Sequence, residues 1–156
     1  MNQNIYNCCY EKSDLGDGLL PHMWGPPTWN SLHAITFGYP DNPSKEDMIN
    51  YRTYFTMVAY VLPCKSCRES YADFIRNGDT QINDDIFKNR KSLTLWLYKL
   101  HNAVNKKLNV SYNLTYEKFV DTYELYRTKC TSNRECNIIK KYKLIYIINL
   151  LTPCIN

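Results

Sequence analysis

Apolar residues recur at helical spacing along most of the chain. Met48, Tyr51, Phe55, Val58 and Leu62 step by three and four. Leu93, Trp96, Leu97, Leu100, Val104 and Leu108 form a second, wider stripe, with His101 and Asn105 beside it. Stop and start signals divide this pattern into five helices. Pro26 and Pro27 suit the start of the first, on which Trp29, Leu32, His33 and Thr36 share a face before Gly38 and Pro40 end it. Ser44-Lys-Glu-Asp47 resembles a capping box for the second, with Asp47 standing for the usual Glu. Pro63 ends that helix. A third begins at Cys64 and runs to about Asn77, with Gly78 as its stop. A polar stretch, 79–90, precedes the fourth helix, and Thr115 can cap a short fifth that carries Phe119, Val120, Tyr123 and Tyr126.

No convincing alternation of strand type occurs before residue 140. The prediction is therefore all-α: a four-helix bundle plus a short fifth helix, with extra N- and C-terminal segments. Residues 1–22 read as a flexible leader, 23–130 as the folded domain, and 131–156 as a basic, then Ile/Leu-rich tail. A chain of 156 residues suffices for one such core. No run reaches the roughly 18 apolar residues that a membrane span needs.

Charge changes the picture little. The first 78 residues carry 6 Lys/Arg against 8 Asp/Glu, and the last 78 carry 13 against 7. The basic second half fits an acidic partner or a phosphate-bearing cofactor, but no run of five like charges supports nucleic-acid binding. Neither a secretory h-region nor an Arg-rich presequence opens the chain, and its first arginine is Arg52. Heavy use of Asn, Tyr, Lys and Ile fits A/T-rich codons.

The cysteines carry the sharpest chemistry. There are seven, at Cys8, Cys9, Cys64, Cys67, Cys130, Cys136 and Cys154. Cys64-Lys-Ser-Cys67 falls at the predicted start of the third helix, where unpaired N–H groups and the dipole favour a thiolate. Three residues of helix put both sulfurs on one face, the arrangement of a redox-active dithiol in which one exposed sulfur exchanges and the other resolves. Other readings stand beside this one. The pair can be half of a zinc site completed by Cys130 and Cys136, in a non-enzymatic helical adaptor stapled by zinc or disulfides. A c-type haem attachment needs His where Arg68 stands, and a thioredoxin-like domain needs strands where the flanks look helical.

Two further segments are Trp24-Gly-Pro-Pro-Thr-Trp29-Asn-Ser-Leu-His33 and Trp96-Leu-Tyr-Lys-Leu-His101-Asn102-Ala-Val104-Asn105-Lys106-Lys107-Leu108. Trp and His at helical spacing commonly serve a core. Asn102 and Asn105 are poor helix formers, which suggests side chains recruited for hydrogen bonding. Taken in order, WGxxxWxxLH, CxxC and HNxVNxxL resemble the Erv/ALR family of FAD-linked sulfhydryl oxidases, over about residues 23–130.

The resemblance implies a helical bundle cradling FAD, in a homodimer. It implies flavin contacts from Trp24, Gly25, Thr28, Trp29 and His33, then from Trp96, His101, Asn102, Val104 and Asn105, with Lys106 and Lys107 near the pyrophosphate. Cys67 matches the flavin-proximal sulfur and Cys64 the interchange sulfur. Electrons would pass from thiol-containing protein substrates through the dithiol to FAD and then to O2, giving H2O2. Cys8–Cys9, Cys130, Cys136 and Cys154 are shuttle or structural candidates. Pro26 stands where many members have a basic residue. The family's structural disulfide lacks its first cysteine here, because Thr115 occupies about that position. A short chain without targeting signals resembles the versions encoded by large DNA viruses, which act in the host cytoplasm or virion.

Overall fold

A computed structural model of the chain describes residues 18–111, 114–130 and 136–138. Five α-helices dominate: α1 (Pro21–Gly38), α2 (Lys45–Val61), α3 (Lys65–Arg76), α4 (Arg90–Lys107) and α5 (Tyr116–Glu124). α1 packs along α4, and α2 packs against α3. The core lies between them, built on Phe55, Phe87, Leu93, Leu97 and Leu100, all fully buried. Burying each such side chain stabilises the fold by about 1.5–3 kcal/mol.

The predicted caps are present. Ser44 Oγ accepts the Asp47 N–H at 3.1 Å while Asp47 Oδ2 accepts the Ser44 N–H at 2.8 Å, a complete capping box at α2. Thr115 caps α5, and Asn89 caps α4 through the Ser92 N–H.

Four local readings differ from the structure. Helix α1 begins at Pro21 rather than Pro26, because Pro21 already supplies the fixed φ of a first helical position. Pro26 and Pro27 then lie inside the helix, where they each remove one donor. The stretch 79–90 is not merely polar: two short 3₁₀ turns, Gly78–Thr80 and Asp84–Phe87, drive Ile86 and Phe87 into the core. Leu108 leaves the α4 stripe and is 50% exposed, because the helix has ended at Lys107. Finally, β1 (Thr128–Cys130) pairs antiparallel with β2 (Cys136–Ile138), a ribbon whose three residues per strand are too few for alternation to show in the sequence. Its register sets Cys130 opposite Cys136. Cys8, Cys9 and Cys154, and the greater part of the C-terminal tail, lie outside the described residues. Among the described residues no helix is long and apolar enough to cross a membrane.

Candidate functional site

The seam between α1 and α4 holds a cluster of rings. His33 and His101 are 68 residues apart in sequence, and His33 Nε2 lies 3.0 Å from His101 Nδ1. Trp29, one turn before His33, stacks on His101 with 4.0 Å between centroids and 8° between planes. Phe119 of α5 meets His33 edge-on at 4.6 Å. Both histidines are buried. Burial holds His33 well below its ordinary value of 6.5, with the neighbouring His101 adding to the effect, and burial pulls His101 down to about 4. Both rings are therefore neutral near pH 7, and one donates the shared proton to the other. Their tautomers are coupled: if Nε2 of His33 donates, its Nδ1 is a bare acceptor, and if it accepts, its Nδ1 carries hydrogen.

That Nδ1 has no partner. Neither has Oδ1 of Asn30, three residues earlier on the same helix; both atoms are fully shielded from solvent. Buried polar atoms without partners are rare, since each costs about 1–3 kcal/mol. Two of them within one helical turn, behind a wall of stacked rings, suit a bound polar ligand with a flat surface. The residues at this seam fit a flavin nucleotide on those grounds. Asn30 was not among the residues singled out by sequence, although an asparagine in mid-helix is the same signal that drew attention to Asn102 and Asn105.

The remaining predicted residues are spread over α1 and α4. Trp24 and Thr28 look away from the seam into a shallow cavity of about 270 Å³ that Pro27, Ser31, Leu32 and Tyr54 complete. An adjoining concavity of about 350 Å³ shares Thr28, Leu32 and Tyr54 and continues along Met57, Val61 and Pro63. A Cβ added to Gly25 would meet open space. On α4, Asn105 is buried, while Asn102 and Val104 are half-buried. Trp96 belongs to the core, its ring edge-to-face with Phe55 and its N–H donated to the Thr80 carbonyl at 2.8 Å. Lys106 is exposed, and Lys107 donates from Nζ to Ser70 Oγ on α3 at 2.8 Å.

Cys64 is the N-cap residue of α3 in extended conformation, and Cys67 lies one turn in. Cys64 Sγ is 3.2 Å from Ser66 Oγ. Arg68 turns back to donate to the Leu62 carbonyl at 2.6 Å, which fixes the approach to the cap. The expectation of an exposed Cys64 is not met: it is 0% exposed, and Cys67 is half-buried. The cause is a segment that sequence reasoning assigned to a leader. Gly18 forms a single antiparallel bridge with Cys64, and Leu19 N–H donates to the Pro63 carbonyl at 2.7 Å.

A stacked histidine–tryptophan seam and an N-capping CxxC on one helical bundle invite comparison with known families. The profile of the Erv1/Alr family matches residues 26–124, more than half of the chain. The chain belongs to the Erv1/Alr family. Among similar proteins is one of Acanthamoeba polyphaga mimivirus named as a probable FAD-linked sulfhydryl oxidase, 37% identical over 110 residues, covering 68% of this chain and 72% of that protein. An FAD-linked sulfhydryl oxidase of African swine fever virus is 25% identical over 101 residues, covering 65% and 80%. The mitochondrial FAD-linked sulfhydryl oxidase of Saccharomyces cerevisiae is 27% identical over 84 residues, 54% of this chain but only 42% of the yeast protein. The FAD-binding domain of yeast Erv1 superposes with a TM-score of 0.58 at 22% identity, covering 65% of this chain and 91% of that domain. The yeast Erv1 core superposes with a TM-score of 0.53 at 24% identity, covering 70% and 86%. These likenesses establish that this Erv1/Alr chain has the helical fold of its relatives.

Proposed function

We propose that this chain, a flavin-linked sulfhydryl oxidase by family, makes disulfide bonds in protein substrates through Cys64 and Cys67. The observation that carries the reading is the neutral His33–His101 pair behind Trp29, with His33 Nδ1 and Asn30 Oδ1 buried and unpartnered beside it. In the oxidised enzyme the two cysteines form a disulfide. A substrate thiolate attacks Cys64 and releases Cys67 as a thiolate. A second substrate thiolate attacks the mixed disulfide, so the substrate departs oxidised and the Cys64–Cys67 pair is left as a dithiol. The start of α3 lies beside the thiolates that leave, Cys67 in the first exchange and the N-cap residue Cys64 in the second, and helix N-termini favour thiolates. Bound FAD would supply the two-electron chemistry that carries the dithiol's electron pair on to O2 as H2O2.

Trp29, His33, His101, Asn102, Val104 and Asn105 hold the cofactor at the seam, joined by Asn30. Trp96 backs that wall from the core. Trp24, Gly25 and Thr28 contribute from the outer face of α1, where the bare Gly25 backbone allows close approach. Lys106 and Lys107 supply cations for the phosphates; both are exposed, so Lys107 leaves Ser70 at little cost. The neutral histidine pair orients a polar edge of the cofactor and offers it a proton donor or acceptor at His33 Nδ1.

The enzyme works as a homodimer of its helical oxidase unit. Support for the dimer is the apolar strip along α1 and α2, where Tyr54, Met57 and the 72%-exposed Val61 line the concavity with Leu32 and Thr28. The viral relatives support a viral origin, and the enzyme would act in the host cytoplasm or virion.

The test is direct. The purified protein carries flavin colour and consumes oxygen when given dithiothreitol, and Cys64→Ser or Cys67→Ser abolishes turnover. A colourless protein with stoichiometric zinc overturns the reading in favour of a stapled adaptor.

A further inference from the structure

The segment entering α1 and the cap of α3 meet at one point. Gly18 pairs with Cys64, Leu19 N–H donates to Pro63 O at 2.7 Å, and Trp24 Nε1 donates to the Leu19 carbonyl at 2.9 Å. The approach is too close for any side chain at 18. A Cβ there would stand 1.8 Å from Pro63 O and 3.0 Å from the Cys64 Cα, and the φ of +111° is one that residues with a Cβ rarely adopt. Cys64 beneath is 0% exposed. The segment covers it without being anchored by apolar burial, since Leu19 and Leu20 are 64% and 40% exposed. Backbone pairing to Pro63 and Cys64, with the one Trp24 side-chain bond, holds it, and main-chain pairing is the mode in which an extended peptide adds to a free backbone edge.

We propose that Gly18–Leu19 is a strap seated on the main-chain edge at Pro63–Cys64, where an incoming cysteine-bearing peptide must pair, and that it lifts for each exchange. This rests on the reading of Cys64 as the sulfur that substrates attack. The strap competes with substrate: an extended, unfolded segment displaces it by forming the same hydrogen bonds, whereas a compact folded surface cannot. The enzyme thereby favours cysteines on chains still unfolded or in extended loops.

The test uses the full flavin-loaded chain carrying Gly18→Val, which the space at 18 cannot hold, or Leu19→Pro, which removes the N–H given to Pro63. Each protein is reduced without oxygen, pulsed with iodoacetamide and digested with trypsin. Lys65 separates the two thiols, leaving Cys64 on peptide 53–65 and Cys67 on 66–68. Alkylation of Cys64 speeds up about tenfold in both variants, the equivalent of one or two lost hydrogen bonds, and that of Cys67 changes much less. The KM for a reduced, unfolded protein falls while kcat holds. Unchanged Cys64 alkylation in both variants overturns the strap, and so does faster alkylation with a raised KM. The alkylation readout needs no turnover, so failure of the strap is distinguishable from failure of the oxidase reading.

Discussion

The α1–α4 seam and the Pro63–Cys64 entrance belong to one bundle but are held in place very differently. At the seam, residues from α1, α4 and α5 interlock: Trp29 on His101, His101 on His33, Phe119 edge-on to His33, and Phe37 stacked on Tyr123 at 4.5 Å. His33, His101, Phe37 and Phe119 are buried and Trp29 and Tyr123 half-buried against them, and the polar atoms left over point to a ligand. At the entrance the chain is held by backbone hydrogen bonds over exposed leucines. Rigid packing suits a site that must orient a flat cofactor without rearranging, while weak main-chain pairing suits a thiol that must be covered and uncovered in every cycle.

Substitutions separate the two regions. The largest effect falls at the entrance: Cys67→Ser loses thiol-oxidase turnover by orders of magnitude while the melting temperature and flavin content stay near wild type. A parallel loss of flavin in that variant would mean the two regions are not separable. Next comes the seam. Phe119→Ala removes the ring that walls His33 and costs about 3–5 kcal/mol of stability in denaturant titration, with flavin content falling alongside. His101→Leu strands His33 Nε2 in the interior, a loss of about 1–3 kcal/mol.

Acid sharpens the contrast further. Both histidines are neutral in the fold, and the unfolded chain takes up their protons below its ordinary value of 6.5. Their contribution to stability is complete above pH 6.5 and is lost as pH falls toward about 4, the value for folded His101. His101 alone accounts for on the order of 3 kcal/mol across that window. Urea midpoints measured from pH 7 to 4 fall steeply in the wild type and less in His101→Leu. Equal slopes would remove the buried pair from the account. The smallest effect is a control away from both regions: Ser44→Ala opens the capping box of α2 and costs about 1 kcal/mol without changing activity.

Much of this was legible in the sequence wherever a residue acts through local geometry. Apolar spacing marked four of the helices and the Pro63 and Gly78 breakers bounded the third, Ser44 and Thr115 marked two starts, and Trp29, His33 and His101 stood out as a motif that the fold brings into contact. What escaped depended on contacts between distant segments. Phe87 reaches the core through a 3₁₀ turn that leaves no periodic trace. The prolines at 26–27 read as the start signal, although Pro21 is the one at the first helical position. Gly18 looked like leader composition, because nothing local tells that Pro63 lies against it. Trp96 shares its motif with His101, yet its N–H serves Thr80 rather than a ligand.

The most direct test is a dithiol titration of the flavin-loaded enzyme without oxygen. One equivalent of dithiol bleaches the oxidised flavin band in the wild type and leaves it intact in Cys67→Ser. Admitting oxygen then restores the band and releases one equivalent of H2O2. Bleaching of the Cys67→Ser flavin at the wild-type rate would contradict the proposed route, because electrons would then reach the cofactor without passing through the Cys64–Cys67 pair.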